Sequence, residues 1–114
     1  MSIILDPTST ALIVVDMQKD FCYEGGALYG GPAVKQIISE IKPLVSDALE
    51  CGLPVVFTQD YHSPEDPEFM VWPPHCIQDT GGADIIDELG LGGSIAYFVR
   101  KKRYSAFFST DLDI

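Results

Sequence analysis

The sequence predicts an α/β fold built on a parallel sheet, and three observations carry that prediction. Apolar, β-branched runs stand at residues 11–15 (ALIVV), 54–58 (PVVFT) and 94–99 (SIAYFV). An apolar repeat of helical period separates the first two runs. A long connection rich in turns separates the second two. Strands joined by helical or long crossovers lie parallel, with right-handed connections.

The first run is continuous rather than alternating, which predicts a strand buried on both faces. A glycine-rich loop follows at residues 24–31, and Pro32 opens a helix where proline is tolerated. Val34, Ile37, Ile38, Ile41, Leu44, Val45, Ala48 and Leu49 recur at helical spacing and predict one face packed on the sheet. Pro43 should kink or split this helix, and Gly52 suits its C-terminal cap. After the second strand comes an irregular stretch, residues 59–82, holding Pro64, Pro67, Pro73 and Pro74. Loops this long in a small domain are functional or disordered, and the aromatics and histidines in this one point to function. Residues 83–89 read as a short helix, 94–99 as the third strand and 105–114 as the start of another helix.

The 114 residues suffice for one domain, residues 1–114, and 46% hydrophobic content supports a core. A net charge of -10 argues against a nucleic-acid partner. The basic run Arg100, Lys101, Lys102 and Arg103 reads as a solvated loop, a small patch, or a source of one functional lysine. The N-terminus lacks the pattern of a secretory signal, and no run reaches the ~20 apolar residues of a membrane span. Cys22, Cys51 and Cys76 are odd in number and widely spaced, which suits reduced thiols in a cytoplasm and no cysteine-rich zinc site.

In parallel α/β sheets, ligands bind beyond the carboxyl ends of the strands. Asp16 follows the first strand, Asp60 and His62 follow the second, and Lys101 follows the third. Asp16 reads either as a cap on the next loop or as a general base. Lys101 continues the alternation Ile95, Tyr97, Val99; it is either an exposed lysine or an ammonium that keeps Asp16 ionised. Asp60 and His62, two apart in extended chain, project to one side. With His75, the only other histidine, they form an acceptable ligand set for zinc, iron or manganese. Trp72 either covers the core or floors a pocket for a flat ring.

Taken together, the stretches 11–21 (ALIVVDMQKDF), 58–62 (TQDYH), 72–76 (WPPHC), 101–108 (KKRYSAFF) and 110–113 (TDLD) resemble the isochorismatase-like cysteine hydrolases, and among them the metal-containing nicotinamidase branch. The resemblance implies a three-layer αβα, Rossmann-like parallel sheet of order 3-2-1-4-5-6, with only the first three strands present in these residues. It implies Asp16 and Lys101, in preference to Lys102, as catalytic groups. Asp60, His62 and His75 would be the metal ligands, with Glu65 or Glu68 as a further candidate. Phe21, Trp72 and Tyr104 would flank a ring substrate. Cys76 is not the family's nucleophile, which follows a fourth strand beyond Ile114; Cys22 is a poor substitute and Cys51 lies at the far end of a helix. The implied reaction is cleavage of a small amide, nicotinamide first, with an N-carbamoyl amide or isochorismate as alternatives. By this reading residues 1–114 alone are inactive. They belong to an incomplete enzyme record, to a non-catalytic ligand-binding product, or to a subunit completed by another chain. An edge strand of Leu12, Ile13, Val14 and Val15 would be left uncovered, predicting association with a second copy or with a chain that supplies the missing strands.

Overall fold

The computed structural model describes residues 2–90 and 96–114. Strands β1 (Leu12–Val15), β2 (Val55–Asp60) and β3 (Ala96–Lys101) form one sheet of order β1-β2-β3, with both pairings parallel. A four-residue helix α1 (Lys19–Cys22) and a long helix α2 (Val34–Glu50) lie between β1 and β2, and short 3-10 turns at Pro67–Met70, Gly81–Ala83 and Asp87–Leu89 punctuate the connection to β3. The parallel α/β class is as the sequence predicts. Among the described residues the sheet and one flanking layer of that architecture are present.

Both later strands reach further than their apolar runs. The ladder continues through Gln59 with Arg100 and Asp60 with Lys101. Asp60 and Lys101 are therefore the last residues of their strands and not the first of the loops. Polar residues extend a strand when the neighbouring backbone satisfies their N–H and C=O groups. Ser94 and Ile95, where the third strand was predicted to begin, lie outside the described residues.

Helix α2 runs through Pro43 without a break. The proline lacks one N–H, but burial of Val45 and Ala48 beyond it anchors the second half against the sheet. Val34, Val45 and Ala48 are buried and Ile38, Ile41 and Leu49 partly so, whereas Ile37 and Leu44 point away from the core. The helix closes at Gly52, whose φ of 75° is left-handed. The Leu53 amide bonds the Ala48 carbonyl at 2.9 Å and the Gly52 amide bonds that of Leu49 at 3.1 Å, a Schellman closure.

The first strand is not buried on both faces. Val14 packs under α2 with Val55, Phe57 and Ile86, but Ile13 and Val15 are 50% and 62% exposed. The reason is that α2 covers one face only, so alternate residues of β1 meet different surroundings. The predicted uncovered edge is thus limited to these two side chains and half-buried Leu12. Two further expectations need correction. Residues 83–89 form 3-10 turns and bends instead of a helix, and residues 105–114 form successive turns.

Candidate active site and metal centre

The carboxyl ends of all three strands meet at one cleft of about 450 Å³, lined by Asp16, Phe21, Leu28, Asp60, Glu68, Trp72, His75, Lys101 and Tyr104. Of the candidate site residues, His62 is absent from this lining because it is fully buried beside Asp60, and Glu65 is absent as well.

Asp16 leaves β1 with a φ of 55°, a left-handed conformation that aspartate tolerates better than most residues. Thr58 on β2 holds it there. The Asp16 amide donates to the Thr58 carbonyl and hydroxyl oxygens, each at 3.2 Å, and the Thr58 hydroxyl donates to Asp16 Oδ1 at 2.7 Å. The other carboxylate oxygen faces Lys101, with Nζ 3.2 Å from Asp16 Oδ2.

Lys101 is buried, and its ammonium also meets Asp60 Oδ1 at 2.7 Å and the carbonyls of Arg103 and Tyr104 at 3.2 and 3.3 Å. Burial works against its charge, but the Asp60 and Asp16 carboxylates outweigh burial and raise its pKa above the usual 10.5. Lys102, pointing the other way, is exposed.

His62 and His75 come together from separate points of the irregular connection. Their ring centroids are 4.9 Å apart, and the Nε2 atom of each lies 3.6 Å from Asp60 Oδ2. Nδ1 of His62 lies 3.0 Å from Asp66 Oδ2, and Nδ1 of His75 lies 2.8 Å from the Pro73 carbonyl. Both acceptors take a proton from Nδ1, and in a neutral ring that leaves the Nε2 lone pair on the side of Asp60. His62 Nε2 is buried without a hydrogen-bond partner among the described residues. An unpartnered buried nitrogen beside a carboxylate and a second imidazole is what a metal site needs in its ligands. One ligand atom from each of Asp60, His62 and His75 lies within 4.8 Å of the others. The three residues therefore fit a divalent cation. Glu68 extends the set: its Oε2 is 3.8 Å from His62 Nε2, while Glu65 is exposed.

Phe21, Trp72 and Tyr104 all line the cleft. Trp72 Nε1 donates to the Tyr104 hydroxyl at 2.9 Å, and the Phe21 ring centroid lies 5.7 Å from that of His75. None of the three cysteines lines this cleft. Cys76 is fully buried, and burial with the nearby Asp60, Asp20 and Asp16 carboxylates pushes its thiol far above the usual range. Cys22 is buried in a separate cleft with Tyr23 and Glu88, and Cys51 is exposed just beyond α2.

Several supporting residues escaped the sequence reading. Gln18 is fully buried and acts as a surrogate strand: its side chain accepts from the Asp60 amide at 2.8 Å and donates to the Asp60 and Ala83 carbonyls at 2.7 and 2.9 Å. Asp20 accepts the Cys76 amide at 2.8 Å and so tethers the loop that carries His75. Phe69 packs edge-on against both imidazoles, at 5.4 and 5.5 Å. Asp66 holds His62 and also accepts from the Glu68 amide and Arg103. Burial opposes the charge on Asp66, but these hydrogen bonds outweigh it and hold its carboxyl at about 2. No periodicity marks such residues; the polar Gln18 just beyond an apolar strand is the one visible signal.

The fold and the site together define an α/β protein in which an aspartate–lysine pair adjoins a metal-ready aspartate–histidine cradle at the carboxyl edge of a parallel sheet. The chain belongs to the isochorismatase family, whose domain profile matches residues 10–114. It is 38% identical over 113 residues to a nicotinamidase/pyrazinamidase of Mycobacterium tuberculosis, spanning 89% of this chain and 58% of that protein. The structure of N-carbamoylsarcosine amidase from Thermoplasma acidophilum superposes with a TM-score of 0.80 at 34% identity, covering 90% of this chain and 57% of the other. That of a pyrazinamidase of Pyrococcus horikoshii in complex with zinc superposes with a TM-score of 0.74 at 37% identity, covering 90% and 60%. The chain thus spans somewhat over half the length of these relatives.

Proposed function

We propose that this chain carries the acid–base pair and the metal cradle of a hydrolase that cleaves a small amide C–N bond, with nicotinamide as the substrate and nicotinate and ammonia as products. The observation that carries the reading is the unbroken chain of contacts from Asp16 through Lys101 to Asp60 and on to both imidazoles. The residues form the first three strands of a single domain, and the thiol nucleophile comes from sequence outside residues 1–114.

In this reading Asp16 takes the proton of that thiol. The thiolate adds to the amide carbonyl, the C–N bond breaks, and Asp16 returns the proton to the departing ammonia. Water, deprotonated by Asp16, then cleaves the thioester to the acid and restores the thiol. Lys101 keeps Asp16 ionised between these steps and faces the negative charge that develops on the carbonyl oxygen. Asp60, His62 and His75, with Glu68 beside them, would hold a divalent zinc, iron or manganese ion, which supplies fixed positive charge to orient a polar substrate or water. Trp72, Tyr104 and Phe21 form the walls against which a flat ring stacks. The three free cysteines suit a reducing, cytoplasmic setting, and no helix among the described residues is long and apolar enough to cross a membrane. The exposed Ile13 and Val15 on β1 support pairing with a second copy or with a chain that completes the sheet.

The N-carbamoylsarcosine amidase likeness favours a second substrate class, an N-carbamoyl amide. Ammonia release is the deciding measurement, made on this chain alone and on this chain joined to the sequence encoded after codon 114. Release from nicotinamide by the longer protein only, abolished by Asp16→Asn, is expected. Release from an N-carbamoyl amide and not from nicotinamide overturns the substrate assignment. Turnover undiminished in the Asp16→Asn protein overturns the mechanism.

A further inference from the structure

Arg103 and Asp66 stand outside the chemistry just described, and their contacts are unusually specific. Asp66 is buried at 6% exposure, yet it touches neither the cleft nor the Asp16–Lys101 pair. Its Oδ2 accepts from His62 Nδ1 at 3.0 Å, and its Oδ1 accepts the Glu68 amide at 2.9 Å. Arg103 Nη1 reaches both oxygens, at 3.2 and 3.0 Å, and lies 3.7 Å from Glu68 Oε1. A buried carboxylate is costly unless paired, and Arg103 is the cation that pairs this one.

The consequence falls on His62. A carboxylate at Nδ1 compels that nitrogen to keep its proton, so Nε2 presents a lone pair toward Asp60. An imidazole without this partner is free to take the other tautomer, which places a proton where a ligand lone pair is needed. Arg103 contacts both Asp66 oxygens, and Asp66 in turn contacts the ring of His62. The same guanidinium approaches Glu68, so one side chain steadies the outer contacts of two candidate ligands. Arg103 also lies two residues after Lys101, whose ammonium its own carbonyl accepts at 3.2 Å. The segment that delivers the lysine to Asp16 therefore also delivers the guanidinium to the cradle.

We propose that Arg103 and Asp66 form a positioning relay that locks His62 in its metal-binding tautomer and links the order of the cradle to the Lys101 segment. The proposal deepens the metal reading above and rests on it. The bland alternative is that Asp66 merely caps the 3-10 turn at Pro67–Met70, a task its bond from the Glu68 amide performs. A cap of that kind predicts a loss of stability on substitution and no change in the His62 ring or in metal affinity.

The test uses the complete protein in wild-type form and as Asp66→Ala, Arg103→Met and Arg103→Lys. Zinc affinity is measured by competition with a chromophoric chelator, and the visible spectrum is recorded with cobalt(II). Independently of any metal, ¹⁵N–¹H correlation spectra of the imidazoles report the tautomer, and the His62 signals are assigned by their loss in His62→Ala. Asp66→Ala is expected to weaken zinc binding by about 10–100-fold, to change the cobalt spectrum and to mix the His62 tautomers. Arg103→Met should do the same to a smaller degree, and Arg103→Lys should recover most of the affinity. Wild-type protein that binds zinc, with Asp66→Ala and Arg103→Met binding it as tightly and keeping Nδ1 protonated, overturns the relay while leaving the metal reading intact. Wild-type protein that binds no divalent metal overturns the metal reading, and the relay falls with it. Should Asp66→Ala fail to fold, the Arg103 pair decides alone: equal affinity in Met, Lys and wild-type proteins overturns the proposal.

Discussion

The Lys101 ammonium and the Asp60 carboxylate form a buried 2.7 Å ion pair between the last residues of two adjacent strands. Asp60 thereby stands in two settings at once. One oxygen holds the lysine that faces Asp16, and the other faces both imidazoles. Removing the lysine leaves a buried carboxylate unpaired, which costs about 3 kcal/mol. Urea unfolding of Lys101→Met should show a loss of that order, larger than the loss for the exposed Lys102→Met. Equal effects of the two substitutions would show that the pair contributes nothing to the fold.

Asp16 holds a left-handed backbone that asparagine also accepts and a β-branched residue does not. Asp16→Asn should unfold within about 1 kcal/mol of the parent, while Asp16→Val should lose about 1–3 kcal/mol to backbone strain. On the function proposed above, Asp16→Asn in this chain joined to the sequence encoded after codon 114 should lower ammonia release by at least about 100-fold, the usual contribution of a positioned general base. Thermal melts and a coupled ammonia assay separate the two effects. An Asn variant that melts like the Val variant would refute the backbone argument.

Gly82 supports the site from behind. A Cβ there would lie 2.2–2.5 Å from the Asp20 carboxyl group, the group that holds the Cys76 amide beside His75. Gly82→Ala must displace Asp20, and the expected cost is about 1–3 kcal/mol for the amide left without its acceptor. Chelator competition should show weaker zinc binding as well, because His75 loses its tether. Gly81→Ala, with open space around its Cβ, is the control and should behave as the parent does.

Alkaline stability should depend on Glu88. Burial and then the Glu88 charge raise the Cys22 thiol above its ordinary 9.0, and burial with the Glu88 hydrogen bond raises Tyr23 above 10.0. Raised values mean that the folded state holds these protons more tightly than the unfolded chain. Their stabilising effect is complete below about pH 9 and is lost as pH rises through the folded values. Urea midpoints recorded from pH 8 to 11 should fall across that range, and less steeply in Glu88→Gln. An identical slope in the variant would exclude Glu88 as the cause.

β1 pairs with β2 on one side only, and its Ile13 and Val15 side chains are exposed. Apolar open edges recruit other strands, and charge on them prevents it. The 114-residue chain should therefore sediment as associated species, and Ile13→Lys with Val15→Lys should shift it toward monomer. A parent chain that sediments as a monomer across micromolar concentrations would contradict the edge argument.

Much of this was legible in the residues themselves. The apolar runs located all three strands, because a parallel sheet demands continuous hydrophobic stretches. The helical repeat located α2, and the sheet-edge rule alone brings Asp16, Asp60 and Lys101 to one rim. Where the reading fell short, tertiary contacts overrode local preference. Pro43 did not break α2, since packing beyond it compensates, and Ile37 and Leu44 lie off the helix face that Val34, Val45 and Ala48 bury.

By its own pattern, then, the sequence settled where the three strands run and that Asp16, Asp60 and Lys101 stand near their carboxyl ends, for both follow from pattern along a single chain. The rest was decided by folding: that His75 meets His62 across a proline-rich loop, that Gln18 clamps Asp60, and that Arg103 reaches Asp66. These are distances between residues far apart in the chain. Period and propensity carry no information about such distances, which arise only when the sheet, its connection and the following segment close on one another.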